Sequence, residues 1–222
     1  MFDLPCFDEN KVKFRKSDEK SHIRILHATP DAPTVDIYIN NNLISKGLSY
    51  KGLSYKGFTE YMPLISRVYN IKVFSTDKKD VPVINKNIFI PSNSIYTIAA
   101  TNFLKNMALF PILDKKLDNK NPNKAYVRFV HLSPNAPKLD FYMNGKKIFN
   151  SIGYKNITNY SAVDPKNYTL NLKISNTENI ILTSPNANLK ADKYYTVYAV
   201  GLANGKPSLQ VLIPLDGNSY IR

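Results

Sequence analysis

Val35, Ile37 and Ile39 alternate along the chain with Asp36, Tyr38 and Asn40, and Tyr69, Ile71 and Val73 alternate with Asn70, Lys72 and Phe74. A period of two marks half-buried strands, because successive side chains leave opposite faces of a sheet. The pattern returns as Leu139, Phe141 and Met143, then as Tyr168, Leu170 and Leu172. Further strands are predicted at 81–90, 95–101 and 107–113, and again at 178–183, 193–200 and 208–214. No segment sustains a helical period. Some seven short strands in each stretch of roughly 90 residues, with turn residues between them, predict an all-β protein of antiparallel sandwiches of immunoglobulin-like size.

The second set of strands is a copy of the first. Shifted by 104 positions, Ile23 to Asn40 aligns without a gap on Val127 to Asn144, with eight identities among 18 positions. Roughly one would be expected by chance. The identities are Arg24/Arg128, His27/His131, Pro30/Pro134, Ala32/Ala136, Pro33/Pro137, Asp36/Asp140, Tyr38/Tyr142 and Asn40/Asn144. The first copy then repeats a pentapeptide, GLSYK at 47–51 and again at 52–56, which lengthens a loop and lowers the offset to 99. At that offset Tyr55, Tyr61 and Tyr69 match Tyr154, Tyr160 and Tyr168, and Tyr96-Thr97 matches Tyr195-Thr196. Both copies close on an aspartate, Asp114 and Asp216. The organisation expected is an N-terminal arm at 1–21, a first sandwich at 22–114, a polar, proline-bearing linker at 115–124, a second sandwich at 125–217 and a short tail.

The segments His27-Ala28-Thr29-Pro30-Asp31-Ala32-Pro33 with Val35-Asp36-Ile37-Tyr38, and Arg128-Phe129-Val130-His131-Leu132-Ser133-Pro134-Asn135-Ala136-Pro137, resemble the RxxHxSPDAPxVDVY signature of a bacterial family, domain of unknown function 4397. Tyr96-Thr97-Ile98-Ala99-Ala100 and Tyr195-Thr196-Val197-Tyr198-Ala199 resemble its YTVAA strand. The resemblance implies a β-sandwich that occurs in tandem on envelope or secreted proteins, without established enzymatic activity. The hairpin that often reads LPAG in that family is Leu64-Ile65-Ser66-Arg67 here.

Hydrophobic residues are 43% of the 222, enough for two cores, and 15 Tyr with 11 Phe favour strands. The net charge of +13 lies mostly in the second half. A basic balance suits either a solubilising surface or an anionic partner such as an acidic wall polymer. The densest cluster, Lys115, Lys116, Lys120 and Lys124, falls in the linker. Residues 1–20 lack the charged and apolar regions of a secretory signal, and no apolar run is long enough to span a membrane. Synthesis in the cytosol is expected, with deposition on a spore surface from the mother cell as the route outward. Cys6 is the single cysteine, so a disulfide would be intermolecular.

His27 and His131 invite a test as metal ligands or bases, with Asp31, Asp36 and Asp140 following them. Asp31 becomes Asn135 in the second copy, and zinc usually takes three or four ligands. Neither copy repeats a serine, cysteine or glutamate placed to act as a nucleophile. The expectation is therefore architectural: each imidazole, with Asp36 or Asp140, ties the stiff loop bearing Pro30 and Pro33, or Pro134 and Pro137, to strand backbone. No cofactor, metal or nucleic acid is expected. Tyr50, Tyr55, Tyr61 and Tyr154 either pack on a sheet or form an exposed platform for sugars.

In the arm, Phe2, Leu4 and Cys6 alternate with Asp3 and Pro5, and Val12 and Phe14 with Lys11, Lys13 and Arg15. Such segments pad their own sandwich or add a strand to a neighbouring copy, with Cys6 placed to cross-link. The leading expectation is a non-catalytic structural or adhesive subunit of a bacterial outer layer, of spore coat, exosporium or appendage type. It would partner itself or other surface-layer proteins and form filaments by strand addition. The alternative is a module that binds carbohydrate or an anionic wall polymer.

Overall fold

The computed structural model describes residues 20–44, 52–76 and 80–221, which leaves most of the arm and the first GLSYK copy outside the described residues. It is all-β. The first repeat comprises β1 (Ser21–His27), β2 (Val35–Ile39), β3 (Asn42–Leu43), β4 (Met62–Leu64), β5 (Arg67–Ser75), β6 (Ile84–Ile90), β7 (Ile95–Thr101) and β8 (Ala108–Leu113). The second comprises β9 (Ala125–His131), β10 (Leu139–Met143), β11 (Lys146–Ile152), β12 (Ser161–Val163), β13 (Asn167–Ile174), β14 (Ile180–Asn188), β15 (Tyr194–Val200) and β16 (Gln210–Leu212). Each repeat forms two four-stranded sheets, β3-β2-β5-β6 with β4-β1-β7-β8, and β11-β10-β13-β14 with β12-β9-β15-β16.

The alternation in β2 and β5 becomes burial. Val35, Ile37, Ile71 and Val73 are fully buried in the core of the first sandwich. Leu139, Phe141 and Leu172 occupy the matching core of the second, where Phe129 and Phe141 stack at 5.2 Å. The sheets are antiparallel apart from one parallel pair in each repeat, β1 with β7 and β9 with β15. Apolar periodicity could not reveal these, because it encodes which face is buried and not the direction of the neighbouring strand.

β1 and β9 do not alternate apolar with polar, since both of their faces are covered. Ile23 and Ile25 enter their own core, while Leu26 joins a third cluster with Ala99, Ile112, Val130, Tyr198 and Val200. The four sheets therefore stack in one pile, with the β1 sheet of the first repeat lying against the β9 sheet of the second. Among the described residues, no helix is long and apolar enough to cross a membrane.

Candidate functional site

His27 and His131 end β1 and β9, and the loops that follow carry the repeated prolines across from one sheet of each sandwich to the other. His27, fully buried, donates from Nε2 to the carbonyl of Pro33 at 3.0 Å and accepts the Thr29 N–H on Nδ1 at 3.3 Å. His131 contacts the Pro137 carbonyl through Nε2 at 3.1 Å. Burial lowers both imidazole pKa values, and the bond to the proline carbonyl opposes it. Asp140 accepts from the Ser151 N–H at 2.8 Å and the Ser175 hydroxyl at 2.7 Å, and pairs with Lys147 at 2.6 Å. Asp36 lies in the equivalent place on β2 and is nearly buried. Asp31 accepts the Leu104 N–H at 2.8 Å. Among the described residues, no three His, Cys, Asp or Glu side chains group as metal ligands.

Of the two readings of the tyrosines, packing or an exposed platform, Tyr55, Tyr61 and Tyr154 take the first and are half-buried. Tyr55 sets its ring edge-on to His27 at 6.0 Å, Tyr154 does the same to His131 at 6.4 Å, and Tyr61 is held by an aspartate described below. Their rings pack where the platform would have needed open faces. Tyr50, Phe2, Leu4, Cys6, Val12 and Phe14 lie outside the described residues.

The densest polar constellation sits in the seam between repeats. Arg24 stands opposite Thr97 in the parallel β1–β7 pair and donates Nε to its hydroxyl at 2.9 Å. Its other nitrogens cross to the second repeat, to the Leu215 carbonyl at 2.9 Å and Asp216 at 3.5 Å. Arg128 mirrors it, binding Thr196 at 2.7 Å in its own repeat, then the Leu113 carbonyl at 2.5 Å and Asp114 at 2.8 Å in the first. Each aspartate is held by a tyrosine of its own repeat, Tyr61 on Asp114 at 2.5 Å and Tyr160 on Asp216. Arg24 lies 4.6 Å above the Tyr61 ring and Arg128 lies 4.7 Å above that of Tyr160. All four charged residues are at most 5% exposed.

Burial at this site is offset by pairing. Asp114 is pushed up to about 6 by burial and then by Asp216, against the pull of Arg128. Burial disfavours the Arg128 cation, but Asp216, Tyr160 and their neighbours outweigh it and raise its pKa. The Tyr61 and Tyr160 hydroxyls are pushed far up by burial and the adjoining carboxylates. Held by these crossed bonds, the four charged groups serve as a clamp. Arg24 and Arg128 are identities of the repeat, and Asp114 and Asp216 close it, so the signal for the clamp was present in the sequence. What the sequence did not carry is that each arginine would bond the aspartate of the other repeat.

Beside the clamp opens a cleft of about 1060 Å³, walled by both repeats, the linker and the C-terminal residues. Lys20, Lys115, Lys116, Lys120 and Lys193 line it, with Tyr220 at its edge. Lys120 pairs with Asp192 at 2.6 Å, and Lys193 donates to the Ser219 carbonyl at 3.1 Å.

The model of a family described as Domain of unknown function (DUF4397) matches residues 21–142 and 125–221. The chain belongs to the DUF4397 family. It holds two tandem copies of the domain. No curated protein matches this DUF4397 chain in sequence. Among solved structures it is similar to a family 26 carbohydrate-binding module from Eubacterium rectale in complex with maltoheptaose, at 12% identity and TM-score 0.26, covering 86% of this chain and 96% of that one. It is also similar to a candidate cell adhesion protein from Bacteroides ovatus, at 8% identity and TM-score 0.29, covering 87% and 96%. A streptococcal virulence factor that binds α-glucan matches at 8% identity and TM-score 0.25, covering 91% and 99%. Likenesses this loose carry no functional argument.

Proposed function

We propose that this DUF4397 protein is a non-catalytic structural or adhesive module of a bacterial outer layer, working as one rigid body. The observation that carries the proposal is the reciprocal clamp, in which Arg24 binds Asp216 and Arg128 binds Asp114 across a buried apolar seam. Residues repeated in both copies that have chemistry to offer spend it on bonds inside the fold. A module of this kind presents surfaces to partners and does not turn over a substrate. The test is cosedimentation of the purified protein with envelope fractions from Gram-positive cells and spores, read beside electron microscopy of the protein alone. Partition into the pellet or ordered assembly is expected. Dispersed particles without envelope binding overturn the proposal, as does a hydrolytic activity that His27→Ala abolishes in a folded protein.

Self-assembly is the finer form of this reading, with residues 1–20 of one copy adding to a sheet edge of the next. Strand β6 favours it: among the described residues β6 is an edge strand, its seven pairs with β5 run without a bulge, and Phe89 is 60% exposed beside Val68 at 54%. The equivalent edge β14 carries Pro185, a left-handed Asn186 and two register shifts against β13, so the second repeat is the poorer acceptor. Deleting residues 1–19 should abolish any assembly seen in the microscope. Filaments that persist after the deletion exclude this route.

A further inference from the structure

We propose that the cleft at the seam binds an acidic polysaccharide, holding its anionic groups on the lysines and a sugar ring on Tyr220. The inference rests on the reading of the protein as an outer-layer module and names what that module grips. Among the described residues, five lysines face the cleft. Against them stand Asp192, paired with Lys120, and Asp114, already committed to Arg128 and Tyr61. The four clamp charges cancel one another, so the positive potential belongs to the lysines, and a concave wall concentrates it.

The geometry separates polymer from small anion. Lys20 enters from the start of β1, Lys115, Lys116 and Lys120 from the linker, and Lys193 from the turn before β15, so the charges are spread along the walls and do not converge on one point. The volume lies just above the range of about 300–1,000 Å³ usual for small-molecule sites. The cleft is also open, as a passing chain requires. Among the described residues, no arginine lines it. Lysine acts as a mobile point charge and lacks the planar fork that selects single phosphates or guanine edges. Recognition by summed charge follows, suited to a repeating anion. Tyr220 is 53% exposed at the rim and meets Tyr61 at 6.0 Å with the two rings close to perpendicular, so about half of its aromatic surface is open to a sugar.

Binding of alginate, poly(glycerol phosphate), poly-glutamate, neutral dextran and single-stranded DNA to the full chain, measured by calorimetry at 50 and 300 mM salt, tests the proposal. Alginate should bind in a salt-dependent manner and dextran should not. Lys115→Glu/Lys116→Glu should weaken alginate at least tenfold, whereas Lys72→Glu/Lys86→Glu, equal in charge on the far sheet of the first repeat, should change it less than twofold. Tyr220→Ala should weaken alginate several-fold and leave poly-glutamate unchanged. Equal losses from both double variants mean diffuse attraction and overturn the site. Tighter binding of poly(glycerol phosphate) or DNA than of alginate overturns the ligand class, and no binding of alginate by the unaltered protein overturns both. Envelope binding that survives Lys115→Glu/Lys116→Glu overturns the cleft while the module reading stands. Alginate held in the cleft by a protein that ignores envelopes and does not assemble overturns the module reading alone.

Discussion

Arg128 of the second repeat donates to Asp114, the closing residue of the first, at 2.8 Å, and both are at most 4% exposed. Removing one partner of a buried pair strands the other charge, at a cost of roughly 3–5 kcal/mol. Arg128→Met should therefore lower the thermal midpoint by roughly 10 °C for a chain of this size. Since the seam joins both cores, the midpoint should fall as a single transition in calorimetry. A first repeat that keeps its own unchanged transition would show that the clamp does not couple the two.

The histidines predict how stability changes with pH. Burial lowers the pKa of His27 and His131 below the usual 6.5, so below that pH the unfolded chain binds protons that the folded one refuses. Their contribution is complete above pH 6.5 and is lost as the pH falls through the lowered values. Asp114 has the opposite sign, because its raised value of about 6 makes the folded state take up a proton first as the pH drops toward 4. Denaturant midpoints between pH 7.5 and 4.5 should decline less steeply for His131→Asn than for the parent, and more steeply for Asp114→Asn. Parallel curves for all three proteins would refute the assignment.

Two tyrosines at the seam should respond oppositely to loss of the hydroxyl. Tyr160 donates to the buried Asp216, and Tyr160→Phe should cost about 1.5–3 kcal/mol, as expected for a hydrogen bond to a charge. Tyr198 is fully buried with no partner for its hydroxyl among the described residues, so Tyr198→Phe should be neutral or stabilising by up to about 1 kcal/mol. Chemical denaturation of both variants checks the contrast.

Two glycines form a second pair. Gly201 has φ +89°, and an added Cβ would lie 2.3 Å from the Ser208 carbonyl oxygen, so Gly201→Ala should cost roughly 4 kcal/mol or more. Gly145, at φ +77° with nothing within 4 Å, meets only the left-handed penalty, and Gly145→Ala should cost about 1 kcal/mol. Midpoints from urea titration measure the difference.

Core faces were legible wherever one side of a strand meets solvent, as in β2, where Val35, Ile37 and Ile39 are at most 5% exposed. The strands predicted at 95–101 and 107–113 appear as β7 and β8 within a residue. The short strands β3, β4 and β12 were not foreseen, since two or three residues carry no period. Leu26 and Val130 read simply as apolar, and nothing in their spacing says that they would meet across a seam. Lys115, Lys116 and Lys120 read as linker polarity for the same reason. Their convergence with Lys20 and Lys193 depends on how the two repeats dock, which is a tertiary fact.

The crossed arginines make the two halves near-equivalents about a pseudo-twofold axis, the arrangement two separate single-domain chains would use to pair through one self-complementary patch. Fusion by the ten-residue connector turns that association into an intramolecular event, governed by local effective concentration. The pairing then no longer depends on how dilute the protein becomes, so the seam and the cleft beside it keep their shape at any concentration.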